Sequence, residues 1–201
     1  KPEKCIYTGN PIRPDVVSAQ RAESRRKLGI SPEVFMVVIT GGSRGARTIN
    51  RAMISVHEHF KGDKEICLYH ITGNLEYDKI VRELGLTDGK SFGKGSRIIK
   101  YEYDMPAVLA AADLIICRAG AVSLAELAAR ELPSILIPYP YASGDHQTFN
   151  ARVFVKAEAA KMIADKYVTE KELIQDINDF RHQPETLERM SEATKKIKKI
   201  Y

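Results

Sequence analysis

The chain has few cysteines and no pattern that would pair them. Cys5, Cys67 and Cys117 lie far apart without CxxC spacing, which excludes a disulfide framework. Two of them sit in apolar stretches, Ile-Cys-Leu and Ile-Ile-Cys, so buried thiols in a reduced compartment are expected. Long apolar runs are also missing. Nothing approaches the ~20 residues that span a bilayer, and no stretch reads as a signal peptide. Aromatic residues amount to 7% and do not interleave with the basic ones, which argues against a platform for single-stranded nucleic acid. There is no internal repeat and no low-complexity tract.

What is present is the composition of a soluble globular domain: 44% hydrophobic and 28% charged residues in a chain of 201. That length means one domain, or two small ones, with a core that needs no disulfide or metal to hold it. Lys and Arg number 31 against 26 Asp and Glu, a net charge of +5. This favours anionic partners without choosing among nucleotide, nucleic acid and acidic lipid. The first residue is Lys1 rather than Met, as expected of a processed or excised piece.

Strand-then-helix units recur along the sequence. Val34 to Thr40 is a β-branched run without polar alternation, which suits a strand buried on both faces. A helix is predicted from about Ala46 to Phe60, with Ile49, Met53 and Val56 on one face. Ile66–Thr72 reads as a strand, Tyr77–Leu84 as a helix, Thr87–Gly95 as a loop and Arg97–Tyr101 as a short strand. Asp104-Met105-Pro106 opens the next helix, with an acid at the cap and Pro in the first turn. Leu114–Cys117, Ser134–Pro138 and Ala160–Ile163 are strands. Val122–Arg130, His146–Lys156, Thr169–Arg181 and Pro184–Lys199 are helices. Thr169 and Glu172 have capping-box spacing. Residues 1–30 form a lead-in, with a strand at Cys5–Thr8 and a charged helix near Ala19–Leu28; residues 182–201 form a terminal helix. Its basic run, Lys195 to Lys199, reads first as a solvated face and second as attraction to anionic lipid. The alternation implies an α/β fold with a Rossmann-like parallel sheet and helices on both faces.

In such sheets ligands sit where strands run into helices, and four loops there are rich in glycine and polar residues: Gly41–Ala46, Glu102–Met105, Arg118–Ser123 and Pro138–Gln147. Gly41-Gly42-Ser43-Arg44-Gly45-Ala46 follows a strand and opens a helix, the order a phosphate-binding loop requires. It is neither G-x-G-x-x-G nor a P-loop, and a tight turn without a ligand fits it too. Arg118-Ala119-Gly120-Ala121-Val122-Ser123 repeats the arrangement. Glu126, one turn on, can accept hydrogen bonds from a vicinal diol or simply favour the helix dipole. Asp145-His146-Gln147, with Asn150, can meet sugar hydroxyls or serve as a cap and polar turn. Arg13 offers a guanidinium fork for phosphate. No histidine has a partner at metal spacing. His57 and His59, two apart on a helix, are both expected at the surface, and His70 lies in a strand.

Six strings in order, TGNPIR at Thr8–Arg13, GGSRGARTIN at Gly41–Asn50, HITG at His70–Gly73, YDM at Tyr103–Met105, ADLIICRAGAVSLAELAA at Ala112–Ala129 and LIPYPYASGDHQTFNA at Leu136–Ala151, cover nearly the whole chain. Together they resemble the carboxyl-terminal half of the peptidoglycan N-acetylglucosaminyltransferases. The resemblance implies one half of a two-domain GT-B glycosyltransferase, here a UDP-sugar donor-binding domain over residues 1–201, the acceptor domain being absent from this chain. It implies transfer of GlcNAc from UDP-GlcNAc to undecaprenyl-diphospho-muramoylpentapeptide with inversion. It places Gly42, Ser43 and Gly45 near the diphosphate with Arg13, and Glu126 on the ribose hydroxyls. The Glu102 backbone falls at the uracil edge and Met105 beside the nucleoside. Ala121 and Val122 mark the helix start facing the phosphates, and His146 and Gln147 the GlcNAc hydroxyls. Arg44 stands where glutamine is common in the family. No Asp-x-Asp motif is present to hold a metal, and no cofactor, bound metal or nucleic-acid partner is expected. The catalytic base is expected in the missing half, so this chain is expected to bind the donor and transfer nothing alone. By the same resemblance the protein would be cytoplasmic and peripheral on the inner membrane face, meeting a lipid-linked acceptor and an acidic membrane surface. Three other readings remain: a related UDP-sugar glycolipid transferase such as one acting on diacylglycerol, a non-catalytic subunit of a split transferase, or a plain nucleotide- or nucleic-acid-binding module.

Overall fold

The computed structural model describes residues 9–86, 91–92 and 96–197. Among the described residues seven strands form one sheet, in the order β3-β4-β2-β1-β5-β6-β7. They are β1 (Phe35–Thr40), β2 (Ile66–Ile71), β3 (Ser91–Phe92), β4 (Ser96–Ile99), β5 (Leu114–Cys117), β6 (Ser134–Leu136) and β7 (Ala160–Met162). Every pairing is parallel except β3 against β4. The region read as a loop at Thr87–Gly95 therefore contributes a short antiparallel edge strand, Ser91–Phe92; its other residues, like the expected strand at Cys5–Thr8 and the end of the basic run from Lys198, lie outside the described residues.

The helices are α1 (Pro14–Ser18), α2 (Arg21–Leu28), α3 (Arg47–Phe60), α4 (Tyr77–Glu83), α5 (Met105–Ala111), α6 (Ala121–Arg130), α7 (His146–Lys156), α8 (Glu170–His182) and α9 (Pro184–Ile197). The short α1 was not expected. Two of the expected caps are made: the Asp104 side chain accepts from the Ala107 amide and Thr169 from the Glu172 amide.

Successive residues of a strand point to opposite faces, and β1 shows it. Met36 and Val38 enter a core with α5, α6, α7 and α9, while Val37 and Ile39 enter another with α3 and α8. The second core takes Ile49, Met53, Val56 and Phe60 from α3, the helical stripe that the sequence spacing predicts. Both faces of the sheet being covered explains the absence of polar alternation in β1. Cys67 and Cys117 are buried, and burial pushes their thiols up to about 11 and about 12.

The described part of the lead-in, from Gly9 on, is pinned to the rest of the domain. Buried Arg25 donates to the carbonyls of Ala111, Ser31, Pro32 and Val34 and to Asp113 at 2.6 Å. Arg130, at the end of α6, donates to the carbonyls of Val16, Val17 and Ala19, which fixes α1, and with it Arg13, beside α6.

Candidate functional site

The strand order decides where a ligand can sit. After β1 the chain moves outward through β2 and β4, then returns to the other side of β1 as β5. Loops leaving β1 and β5 therefore diverge, opening a crevice at the carboxyl ends of those strands. The register keeps these ends level: Thr40 pairs with both Ile71 and Cys117, and Cys117 with Leu136. All four loops singled out in the sequence contribute to one cleft there, of about 880 Å³.

The β1–α3 loop is shaped by close backbone contact. Gly42 and Gly45 have φ of +83° and +81°, which side chains with a Cβ rarely adopt. The Gly45 amide donates to the Gly42 carbonyl at 2.9 Å and the Gly42 amide to Thr40 Oγ1 at 3.2 Å. The Ser43 carbonyl accepts from the Asn74 amide at 3.2 Å. A Cβ on Gly73 would come within 2.1 Å of the Gly45 nitrogen, so the loop lies directly on the turn after β2. Among the described residues, the Ser43 and Arg44 amides donate to no protein acceptor.

Of the helices that begin around this cleft, the two that follow β1 and β5 begin bare. α3 follows Ala46 and α6 follows Gly120; neither has a side-chain cap or an acid in its first turn. Their first-turn amides and the positive ends of their dipoles are left for something else. By contrast α5 and α8 carry capping acceptors.

Side chains stand around these two ends. Glu126 lines the cleft, mostly buried, with Oε1 3.7 Å from the Arg13 guanidinium. Burial raises its carboxyl above the usual range, Arg13 opposes the rise, and Asp15 adds to it. Arg13 itself is half exposed and stands outside the cleft lining, reaching the site through Glu126. Glu102 lines the cleft, but its carboxylate is committed inward: it accepts from Tyr69 Oη at 2.6 Å and from the Asp104 amide at 2.7 Å. Met105, the first residue of α5, lines the cleft beside it.

Gln147 also lines the cleft and ties two of its walls together. Its Oε1 accepts from the Ala119 amide at 3.1 Å and from the Tyr139 amide at 3.0 Å. Asn150 Nδ2 donates to the Ala119 carbonyl at 3.2 Å. With its oxygen occupied, Gln147 has only N–H donors to offer a ligand. His146 is exposed, with Nδ1 2.7 Å from the Ser143 carbonyl oxygen, and is not among the lining residues. Ala121 and Val122 are exposed on the first turn of α6, while Gly120 and Ser123 provide its cleft wall.

Three residues escaped the sequence reading or were underrated by it. Arg118, read only as part of its loop, lies largely buried beneath the cleft. It donates to the Ile137 and Pro138 carbonyls at 3.1 Å each and meets Asp165 at 2.5 Å. Asp165, in the turn after β7, also accepts from Thr48 Oγ1 at 2.9 Å. The group joins α3 to the loops after β5, β6 and β7. Only its position after the last strand marked Asp165. His57 corrects an expectation: it is buried, not at the surface, because α3 turns it onto β2 against His70. His59 is exposed, as expected.

Residues 36–201 match the model of the glycosyltransferase family 28 C-terminal domain. The chain is 40% identical over 197 residues to the UDP-N-acetylglucosamine–N-acetylmuramyl-(pentapeptide) pyrophosphoryl-undecaprenol N-acetylglucosamine transferase of Desulforudis audaxviator, covering 98% of this chain and 53% of that protein. It is also 40% identical over 196 residues to the transferase of the same name from Halalkalibacterium halodurans, covering 96% and 52%. The chain thus spans about half the length of these curated relatives. Among solved structures, Acinetobacter baumannii MurG superposes with a TM-score of 0.71 at 24% identity, over 96% of this chain and 51% of that one. The C-terminal CMP-Kdo binding domain of WaaA from the same organism superposes with a TM-score of 0.66 at 13% identity, over 90% and 97%. At such identities these two likenesses speak for the fold alone.

Proposed function

The chain belongs to the glycosyltransferase family 28 C-terminal domain family, and from that membership we propose that it is the donor-binding half of an inverting hexosyltransferase that takes UDP-N-acetylglucosamine. The observation that carries the reading is the pair of bare helix starts, α3 and α6, set on either side of the crevice between β1 and β5. A pyrophosphate lying between them would receive N–H donors from the Ser43–Arg44 turn and the first turn of α6, with Arg13 near by. The remaining features suit the rest of the ligand. Glu126 can hold the ribose hydroxyls, and the backbone at Glu102 with Met105 can hold the uracil. The Gln147 amide can donate to hydroxyl oxygens of the sugar.

In the reaction proposed, an acceptor hydroxyl attacks the anomeric carbon and the C–O bond to the diphosphate breaks. UDP leaves with both bonding electrons, so negative charge grows on the pyrophosphate. Donors already fixed at that position stabilise this charge better in the transition state than in the bound donor. The reading gives the acceptor proton to a base in the half of the relatives' length that lies outside this chain. The acceptor it implies is a pyrophosphoryl-undecaprenol carrying the muramoyl pentapeptide, met at the inner face of the membrane, where the net charge of +5 suits acidic headgroups. Among the described residues no helix is long and apolar enough to cross a membrane.

Calorimetric titration with UDP-GlcNAc, beside the same titration of Glu126→Ala, tests the reading. Binding by the wild-type chain that falls at least tenfold in the variant supports it. Equal binding by both would remove Glu126 from the ribose. Tighter binding of UDP-glucose or UDP-galactose than of UDP-GlcNAc would move the donor assignment to a glycolipid transferase.

A further inference from the structure

A chain of buried polar side chains stands behind the Gly41–Ala46 loop, and nothing in the donor-binding reading uses it. Asn50, in the second turn of α3, donates from Nδ2 to the Thr72 carbonyl at 2.8 Å. That carbonyl oxygen is the atom a Cβ on Gly45 would meet at 2.2 Å, so it sits directly against the loop. His70 Nε2 lies 3.0 Å from Asn50 Oδ1, and His70 Nδ1 lies 3.2 Å from His57 Nε2. Asn50 and His70 are wholly buried and His57 almost so.

The chemistry of these groups permits one arrangement of protons. The Asn50 amide donates only from Nδ2, which faces Thr72, so its Oδ1 can only accept. His70 must therefore carry a proton on Nε2. Burial keeps both imidazoles neutral at physiological pH, with His57 lowered to about 4 and His70 lowered well below its usual value by burial and by His57. A neutral imidazole has one N–H, so His70 Nδ1 accepts and His57 must donate from Nε2. Every N–H in the chain then points the same way, from His57 through His70 and Asn50 to the Thr72 carbonyl.

We propose that His70, backed by His57, is a positioning residue for the pyrophosphate-binding loop: it fixes the Asn50 amide so that Nδ2 holds the Thr72 carbonyl against Gly45, which sets where the Ser43 and Arg44 amides stand. Without the His70 donor the Thr72 carbonyl alone sets which of its two orientations the Asn50 amide takes, and the buried Oδ1 loses the N–H it accepts from. In the flipped one, Oδ1 faces the Thr72 oxygen and the loop is pushed off its seat. This inference rests on the reading of that loop as the cradle of the donor's pyrophosphate.

The test is a pair of NMR titrations of the 201-residue chain, one with uridine and one with UDP. They are run on wild type, His70→Ala and His70→Gln. The Gln amide can still donate toward Asn50. The expected result is a loss of UDP affinity of about tenfold in His70→Ala, uridine affinity within about twofold of wild type, and recovery of UDP affinity in His70→Gln. An equal loss for both ligands would mean general loosening, and unchanged UDP affinity in a folded His70→Ala would mean no role at all; either overturns the proposal. Wild-type chain that binds UDP no better than uridine would overturn the cradle reading itself, and the proposal with it. A second readout needs no substitution: the imidazole ¹⁵N spectrum should show His57 and His70 both as Nε2–H tautomers. An Nδ1–H tautomer at His70 would reverse the chain and refute the proposal.

Discussion

Replacing Gly42 and Gly45 separately by Ala distinguishes two reasons for a glycine in the same loop. Both residues have positive φ, +83° and +81°, so each Ala carries the same left-handed penalty, about 1 kcal/mol. At Gly42 that is all, because a Cβ there meets nothing within 4 Å. At Gly45 the Cβ would stand 2.2 Å from the Thr72 oxygen and 3.2 Å from its carbonyl carbon. Thr72 cannot simply retreat. Its amide donates to the Ile99 carbonyl at 2.9 Å, and its own carbonyl holds Asn50. Forcing a methyl group into such a contact costs about 1–3 kcal/mol more, so Gly45→Ala should lose about 3 kcal/mol in all. For a domain of this size that is a fall in Tm of roughly 10 °C, against roughly 3 °C for Gly42→Ala. Urea unfolding followed by circular dichroism, with the same slope for all three proteins, measures the difference. Costs that agree within about 0.5 kcal/mol, the error of reading a contact as an energy, would show that the contact with Thr72 does not constrain the loop.

Gln147→Ala strands the Ala119 and Tyr139 amides and should destabilise by about 1–3 kcal/mol. Gln147→Glu still accepts from both, so it should unfold near wild type while binding UDP-GlcNAc at least tenfold more weakly; thermal unfolding and calorimetry separate the two effects, and a Glu variant that binds like wild type would show the Gln147 donors to be idle. Asp165→Asn leaves the largely buried Arg118 guanidinium without its counter-charge and should cost about 3 kcal/mol, read as a lower urea midpoint. Acid should weaken the fold through His57. Its imidazole titrates near 6.5 when unfolded and at about 4 when buried, so the unfolded chain takes up the proton first. Stability is therefore full above pH 6.5 and falls toward pH 4, by about 3 kcal/mol for this one group. A His57→Phe variant whose stability drops as steeply over that window as wild type would contradict the assignment.

The elements were largely legible because period and punctuation agreed. The apolar run of β1 ends at Gly41-Gly42, and the stripe Ile49, Met53 and Val56 has the spacing of a helix packed on one side. Leu114–Cys117 and His146–Lys156 form over the residues expected. The histidines show where legibility stops. Two residues apart on a helix, His57 and His59 must face different ways, but only packing against β2 tells which one turns inward. The cleft shows the same limit. The resemblance gave Ala121, Val122 and His146 to the site; the lining of the cleft includes Gly120, Ser123 and Glu126 from the start of α6, and Gln147 rather than His146 from α7.

From its residues alone, then, this protein was bound to be an α/β domain with glycine-rich strand-to-helix turns, since hydrophobic period and glycine conformation are local properties of the chain. The tertiary structure decided which turns meet. The return of the chain across β1 sets the β1 and β5 loops side by side, and contacts between residues far apart in sequence — Arg13 with Glu126 and Arg118 with Asp165 — exist only after that return. No local pattern encodes them, because each depends on the packing of helices on a sheet whose order is fixed by the whole fold.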